Sequence, residues 1–172
     1  MEEAWLEAWN VIHQEFSDLP NIAEFTRVCV RLFMAIVLGG ILGYERESAG
    51  ASAGFRTHML VALGSALFVL VPLQGGMQMD DMSRVLQGVI AGIGFLGAGA
   101  IIKMGQEPEI RGLTTAASIW LTSAVGIAAG MGRELTAIVS TFFALMILLL
   151  VRLVGKPGQP GMRARLRSKD EA

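Results

Sequence analysis

Four long stretches without a charged side chain constrain this chain more than any other feature of its sequence. They contain 23, 18, 21 and 17 residues and cover positions 57–79, 85–102, 112–132 and 135–151. About 20 consecutive apolar residues are enough for a helix to cross the hydrocarbon core of a bilayer. A water-soluble domain needs a polar surface, and only 17% of these residues are charged while 53% are hydrophobic. The four stretches therefore predict transmembrane helices.

A fifth crossing is predicted at residues 28–44, where the signal is weaker. Arg31 interrupts this segment and leaves only the 13 residues 32–44 free of charge. Its guanidinium group would have to extend to the headgroup region for the segment to cross. With this helix included, the prediction is an all-α, polytopic bundle of five transmembrane helices.

The first twenty residues predict a short amphipathic helix ahead of the bundle. Apolar side chains recur there at steps of three or four, at Trp5, Trp9, Ile12, Phe16 and Leu19. Such a helix would lie on the outer membrane surface with its tryptophans at headgroup depth, or alternatively bind a partner protein. The predicted divisions are a surface helix and linker at 1–24, a transmembrane domain at 25–153 and a flexible basic tail at 154–172.

The distribution of basic residues predicts the orientation in the membrane. Lys and Arg are concentrated in residues 46–56, 103–111 and 152–169. Because basic loops stay in the cytoplasm, these segments and the C-terminus are expected inside, and five crossings then place the N-terminus outside. Arg27 and Arg31 disagree with this scheme, since they fall on the outer side.

Small residues at spacing four predict close helix–helix contacts. In a membrane, such residues allow neighbouring backbones to approach each other. They also favour a homo-oligomer held together by glycine faces. The dense glycines of 92–99 leave a second interpretation open, in which this helix kinks or unwinds as in transporters. The predicted packing positions are Gly39, Gly43, Gly88, Gly92, Gly94, Gly97, Gly99, Gly126 and Gly130.

Charged side chains at the ends of the first two crossings form one candidate site. Glu45 and Arg46 end the first crossing, and Arg56, Thr57 and His58 open the second after a short linker. One interpretation is an ion pair between Glu45 and Arg56 that joins the two helix ends. The other is a cytoplasm-facing site for an ion or a partner, in which His58 would be a group able to titrate near neutral pH.

Two further groups of polar residues are candidates for binding. Asp81 and Arg84 open the third crossing, where carboxylates favour the positive end of the helix dipole. Asp81 is also the candidate metal ligand, because Mg²⁺ needs only one or two carboxylates besides water. Arg111 lies at the mouth of the fourth crossing, where it could hold a carboxylate or phosphate. No nucleophile and base have a spacing that predicts catalysis, so a non-enzymatic protein without a required cofactor is expected.

Several of these segments together resemble the MgtC/SapB family of bacterial inner-membrane proteins. The resemblance covers roughly residues 31–130 in order and with the right spacing. Its pieces are GGILGYERE at 39–47, GFRTHMLVALG at 54–64, DMSR at 81–84, GIGFLGAGAII at 92–102 and GLTTAASIW at 112–120. The resemblance implies a five-helix protein of the bacterial cytoplasmic membrane. It also implies that this chain is a short form, without the C-terminal cytoplasmic domain of the best-studied branch.

The family resemblance implies a function connected with Mg²⁺ or pH homeostasis. The leading hypothesis is a regulator or interaction protein whose partners are lipids, other membrane proteins and copies of itself, with no nucleic acid. The alternative is a Mg²⁺ transporter or channel that uses Asp81, Glu45 and a broken helix at 92–99.

Overall fold

The computed structural model describes residues 1–19, 21–101 and 112–154, with side chains as far as Leu150. Six helices account for nearly all of these residues, and none of the described residues forms a strand. The helices are α1 (Glu2–Glu15), α2 (Ile22–Ser48), α3 (Phe55–Gln74), α4 (Met79–Ile101), α5 (Leu113–Gly130) and α6 (Glu134–Val154). Helices α2 to α5 are long and apolar enough to cross a membrane, and α6 is apolar over Glu134–Leu150. The predicted all-α polytopic fold with a short N-terminal helix is confirmed.

Helix α2, the crossing with the weakest sequence signal, is the longest of the six. Its 27 residues extend about 40 Å at 1.5 Å per residue. Asn21 caps its start by accepting a hydrogen bond from the Glu24 amide at 2.9 Å. Arg31 Nη1 donates to the carbonyl oxygen of Gly130 at 3.3 Å, where α5 ends. The positive charge therefore lies at one end of the bundle and does not interrupt the apolar crossing.

From α2 to α6, consecutive helices run in opposite directions, so the bundle has two distinct ends. At the Arg31 end, α4 and α6 begin and α3 and α5 finish; a single pocket there is lined by Arg31, Gln74, Met79 and Arg133. At the opposite end, which we call the His58 end, α2 finishes and α3 and α5 begin. Asp81 lies at the first of these ends and Glu45 at the second, so the two carboxylates do not share a site.

The core is built where α3 lies between α2 and α5. Ala62 and Ala66 of α3 are completely buried. A β-carbon added to Gly39 of α2 would lie 2.7 Å from the β-carbon of Ala62, closer than real atoms approach. On the other side, Gly126 and Gly130 of α5 lie directly against the backbone of Ala62 and Ala66. The absence of side chains at these glycines lets three helix backbones approach within contact distance.

Helix α4 is continuous, and it packs against the rest of the chain along only part of its surface. It is one α-helix from Met79 to Ile101, so the second interpretation, in which the helix unwinds at 92–99, does not hold in this structure. Within this chain, four of its glycines make no close helix contact, because nothing lies within 4 Å of a β-carbon built there; these are Gly88, Gly92, Gly94 and Gly99. Of the α4 glycines in this set, only Gly97 differs: a β-carbon built there would be in ordinary contact, 3.6 Å from the β-carbon of Ala116 in α5. Helix α4 lies at the edge of the bundle, so most of its circumference faces outward.

The close approach of α3 and α5 predicts opposite effects for two glycine-to-alanine substitutions. In Gly126→Ala the new methyl group would overlap the Ala62 carbonyl, and we expect a loss of about 1–3 kcal/mol of stability. In Gly94→Ala nothing obstructs the methyl group, and alanine's better helix propensity should give a gain of up to about 1 kcal/mol. Thermal unfolding of both variants in the same detergent measures the difference, and equal shifts would contradict this account of the core.

Candidate functional site

The His58 end contains a buried ion pair between two neighbouring residues of α2. Arg46 Nε donates to Glu45 Oε2 at 2.5 Å, and the side chains are only 9% and 7% exposed. The predicted pair between Glu45 and Arg56 is wrong, because Arg56 is exposed and forms no ion pair with any described residue. Arg46 already stands beside Glu45 on the same helix, so its guanidinium is nearer than one reached across a loop. Thr57 is exposed next to Arg56.

The second oxygen of Glu45 is the most distinctive atom of this end. Glu45 Oε1 is buried and has no hydrogen-bond partner among the described residues. A buried carboxylate oxygen without a partner is costly, and such atoms in native proteins call for an explanation. Glu45 therefore has an accepting site free for a cation, a water molecule or a donor from a partner protein.

His58 of α3 is completely buried against α5, and both nitrogens of its ring lie within hydrogen-bond distance of a partner. Nδ1 lies 2.9 Å from the carbonyl oxygen of Gly54, and Nε2 lies 3.1 Å from the hydroxyl of Ser118. The Ser118 hydroxyl is also 2.8 Å from the carbonyl oxygen of Thr115 and can donate to it. A neutral imidazole and one hydroxyl have two hydrogens for these three contacts. With Nδ1–H donated to Gly54, the one hydrogen of the Ser118 hydroxyl can serve either the imidazole Nε2 or the Thr115 carbonyl.

Further hydroxyl groups continue this polar strip along the interface of α3 and α5. Ser65 and Ser123 are buried and their oxygens lie 2.7 Å apart. The hydroxyl of Thr122 is buried without a partner among the described residues. These hydroxyls are not among the site residues predicted from the sequence. The spacing of Thr115, Ser118 and Thr122, three and four residues apart, places them on one face of a helix and could have revealed them.

Glu47 holds the end of α2 against the start of α3. Its Oε2 accepts a hydrogen bond from the backbone amide of Phe55 at 2.8 Å. Gly54, the residue at the N-cap position of α3, has no side chain that could make this bond. The carboxylate thus caps a neighbouring helix and stabilises its positive end. The arrangement fixes the position of His58, one turn further along α3.

The remaining predicted site residues lie elsewhere. Asp81 is exposed in the first turn of α4 at the Arg31 end. Arg84 lines an apolar groove of about 560 Å³ between α3 and α4. In the described part of the chain, no three His, Cys, Asp or Glu side chains are grouped closely enough to hold a metal ion. Arg111 lies outside the described residues.

The helix lengths, the apolar outer surfaces and the buried ion pair together define a multi-pass helical membrane protein. Sequence comparison gives its family. The profile described as "MgtC family" matches residues 32–156, so the chain belongs to that family. No solved structure matches the chain significantly.

Three relatives give the extent of this similarity. The chain is 44% identical to SrpB of Synechococcus elongatus over 141 residues, which are 76% of this chain and 77% of SrpB. It is 41% identical to YhiD of Escherichia coli K12 over 133 residues, 73% of this chain and 60% of YhiD. It is 37% identical to MgtC of Salmonella typhimurium over 123 residues, 72% of this chain and 52% of MgtC. The chain thus spans only part of the length of YhiD and MgtC.

Removing one partner of the buried ion pair should destabilise the protein strongly. Arg46→Met leaves the Glu45 carboxylate buried without a counter-charge, and the expected loss is about 3–5 kcal/mol. The double variant Glu45→Gln, Arg46→Met removes both charges and should recover most of that loss. Unfolding titrations in mixed detergent micelles measure these differences.

Arg56→Met is the matched control, because Arg56 is exposed and unpaired among the described residues. It should change stability by no more than about 0.5 kcal/mol. A double variant as unstable as Arg46→Met, or an Arg56 variant of equal effect, would contradict the importance of the Glu45–Arg46 pair.

Proposed function

We propose that this protein is a non-enzymatic component of the bacterial inner membrane that acts by binding other membrane helices. The first expected partner is a second copy of the chain, and other membrane proteins are further partners. The binding surface is the outward face of α4, and the role is regulatory, in Mg²⁺ or pH homeostasis. The N-terminus lies outside and the C-terminus inside, as the basic segments favour.

The observation that carries this proposal is the bare surface of α4. A β-carbon built at Gly88, Gly92, Gly94 or Gly99 has no neighbour within 4 Å; Gly88 and Gly92 border the groove between α3 and α4, and Phe95 is 81% exposed. Within the same protein, glycines of α2 and α5 produce the closest helix contacts. A second helix could approach the outward face of α4 equally closely. Van der Waals contact between the two backbones would then stabilise the pair in lipid.

The connection with magnesium rests on the relatives. MgtC belongs to the same family, and the name of YhiD proposes magnesium transport. Because this chain spans 52% and 60% of those two proteins, only a general role in Mg²⁺ homeostasis is carried over.

Transport of Mg²⁺ is the second candidate, and Glu45 Oε1 is the observation that favours it. A buried carboxylate oxygen that has no partner among the described residues is a suitable ligand for a hard cation. A pathway for such an ion needs acidic or carbonyl ligands within the membrane. Helices α3 and α5 contain no acidic residue, and α4 and α6 contain them only in their first turns. The distribution of ligands therefore supports a regulator more than a transporter.

Bulky substitutions on α4 should weaken self-association and leave the fold intact. Gly94→Leu and Gly99→Leu place a large side chain where this chain has open space, so thermal stability in detergent should not fall. Single-molecule photobleaching in liposomes should show the oligomer of the parent protein reduced to monomers in both variants. Ala124→Leu, at an exposed small residue of α5, is the control and should keep the parent's subunit number.

A parent protein that is monomeric in liposomes, or variants with an unchanged subunit number, would contradict the α4 interface. The same liposomes also test the alternative. Mg²⁺ entry that requires the protein and disappears in Glu45→Gln would replace the regulatory proposal with transport.

A further inference from the structure

We propose that the Arg31 end of the bundle is a binding site for a phosphate group, supplied by an anionic phospholipid of the surrounding leaflet. The site is a pocket of about 710 Å³ between the start of α2, the α5–α6 turn and the adjoining ends of α3 and α4. Its charged lining residues are Asp18, Glu24, Arg27, Arg31 and Arg133. This inference is independent of the proposed function. Arg27 and Arg31 also precede the residues that match the family.

Arg31 is held in place before any ligand arrives. Its Nη1 donates to the Gly130 carbonyl at 3.3 Å, at the negative end of the α5 dipole. Gly132 lies flat against the guanidinium, since a β-carbon there would be 2.5 Å from Arg31 Nη2. The backbone φ of Gly132 is +73°, a value that also favours glycine. A guanidinium fixed in this way loses little conformational freedom when it binds an anion.

The charges of the pocket leave a positive surplus. Arg27 pairs with Glu24 one turn away on α2. Of the remaining charged lining residues, Arg31 and Arg133 are matched by a single carboxylate, that of Asp18, and neither arginine forms an ion pair with a described residue. Guanidinium groups bind phosphate through paired hydrogen bonds, which is why arginine predominates at phosphate sites. Two arginines against one carboxylate thus favour an added anion.

The position of the pocket identifies the expected source of the phosphate. The pocket lies where the helices of the bundle end, which is where headgroups meet a membrane-spanning bundle, and Leu73, Met79 and Met131 are its apolar lining residues. Basic pockets between transmembrane helices bind lipid headgroups in this position. If Arg31 served only to bind the carbonyl at the end of α5, Arg27 and Arg133 would have no reason to line the same pocket. A headgroup site accounts for all three, at an end where the positive-inside rule expects few basic residues.

Lipid titrations of the purified full-length protein test this proposal. Native mass spectrometry in detergent measures binding of dioctanoyl phosphatidylglycerol, with zwitterionic dioctanoyl phosphatidylcholine as the comparison lipid. Arg133→Gln, at an exposed residue, should raise the dissociation constant for phosphatidylglycerol about tenfold, the loss of roughly one charge-assisted contact. Asp18→Asn should have the opposite sign and lower it about threefold, because a competing carboxylate is removed. Arg84 lies at the same end but outside this pocket, so Arg84→Gln is the matched control. It should leave the dissociation constant for phosphatidylglycerol unchanged.

Inorganic phosphate is tested as a separate arm. If phosphate binds with the same dependence on Arg133 and Asp18 while the lipid does not, the site takes free phosphate and the phosphate proposal stands with a different source. Equal affinity for phosphatidylglycerol in the parent, Arg133→Gln and Asp18→Asn proteins would overturn the proposal. An Arg84→Gln effect as large as that of Arg133→Gln would overturn it too, because it would show only a general attraction of basic residues.

Discussion

The close approach of α3 to α2 and α5 is the constraint on which the rest of this structure depends. Glycines stand on α2 and α5 where these helices face Ala62 and Ala66, so the backbones touch without intervening side chains. In lipid, where apolar side chains gain little by leaving their surroundings, such contact is a main source of helix association. The three helices form a rigid centre, and α4 and α6 add to its sides.

This tight centre determines how the polar groups of the His58 end are satisfied. A narrow interface leaves little room for water, so each buried polar atom needs a partner from the protein. His58 finds one on each side, in Gly54 and Ser118, and Ser65 finds Ser123. Glu45 and Arg46 neutralise each other within one helix. At this end and along the α3–α5 interface, Glu45 Oε1 and the Thr122 hydroxyl are buried without a partner among the described residues.

The His58 end, the Arg31 end and the side of α4 differ in their chemistry. The His58 end has a buried carboxylate, the pocket at the Arg31 end is lined by three arginines and two carboxylates, and α4 has glycines without close neighbours in this chain. The two ends are separated by the length of α3, about 30 Å for its 20 residues. A cation at Glu45 and an anion at Arg31 would thus act independently unless a change in helix packing connects them.

The sequence by itself determined the all-helical membrane fold, the existence of α1 and the family, because long uncharged segments and ordered motifs are local properties of the chain. It also identified Gly39, Gly43, Gly126 and Gly130, where the structure places helices in contact. It could not separate these from Gly88, Gly92, Gly94 and Gly99, because a glycine in the sequence does not show whether another helix or open space lies next to it. Likewise, the choice of Arg46 over Arg56 as the partner of Glu45 and the location of Arg31 at the α5–α6 turn were decided only by the tertiary structure. Both depend on which residues distant in sequence become neighbours in space, and no local pattern of the chain records that.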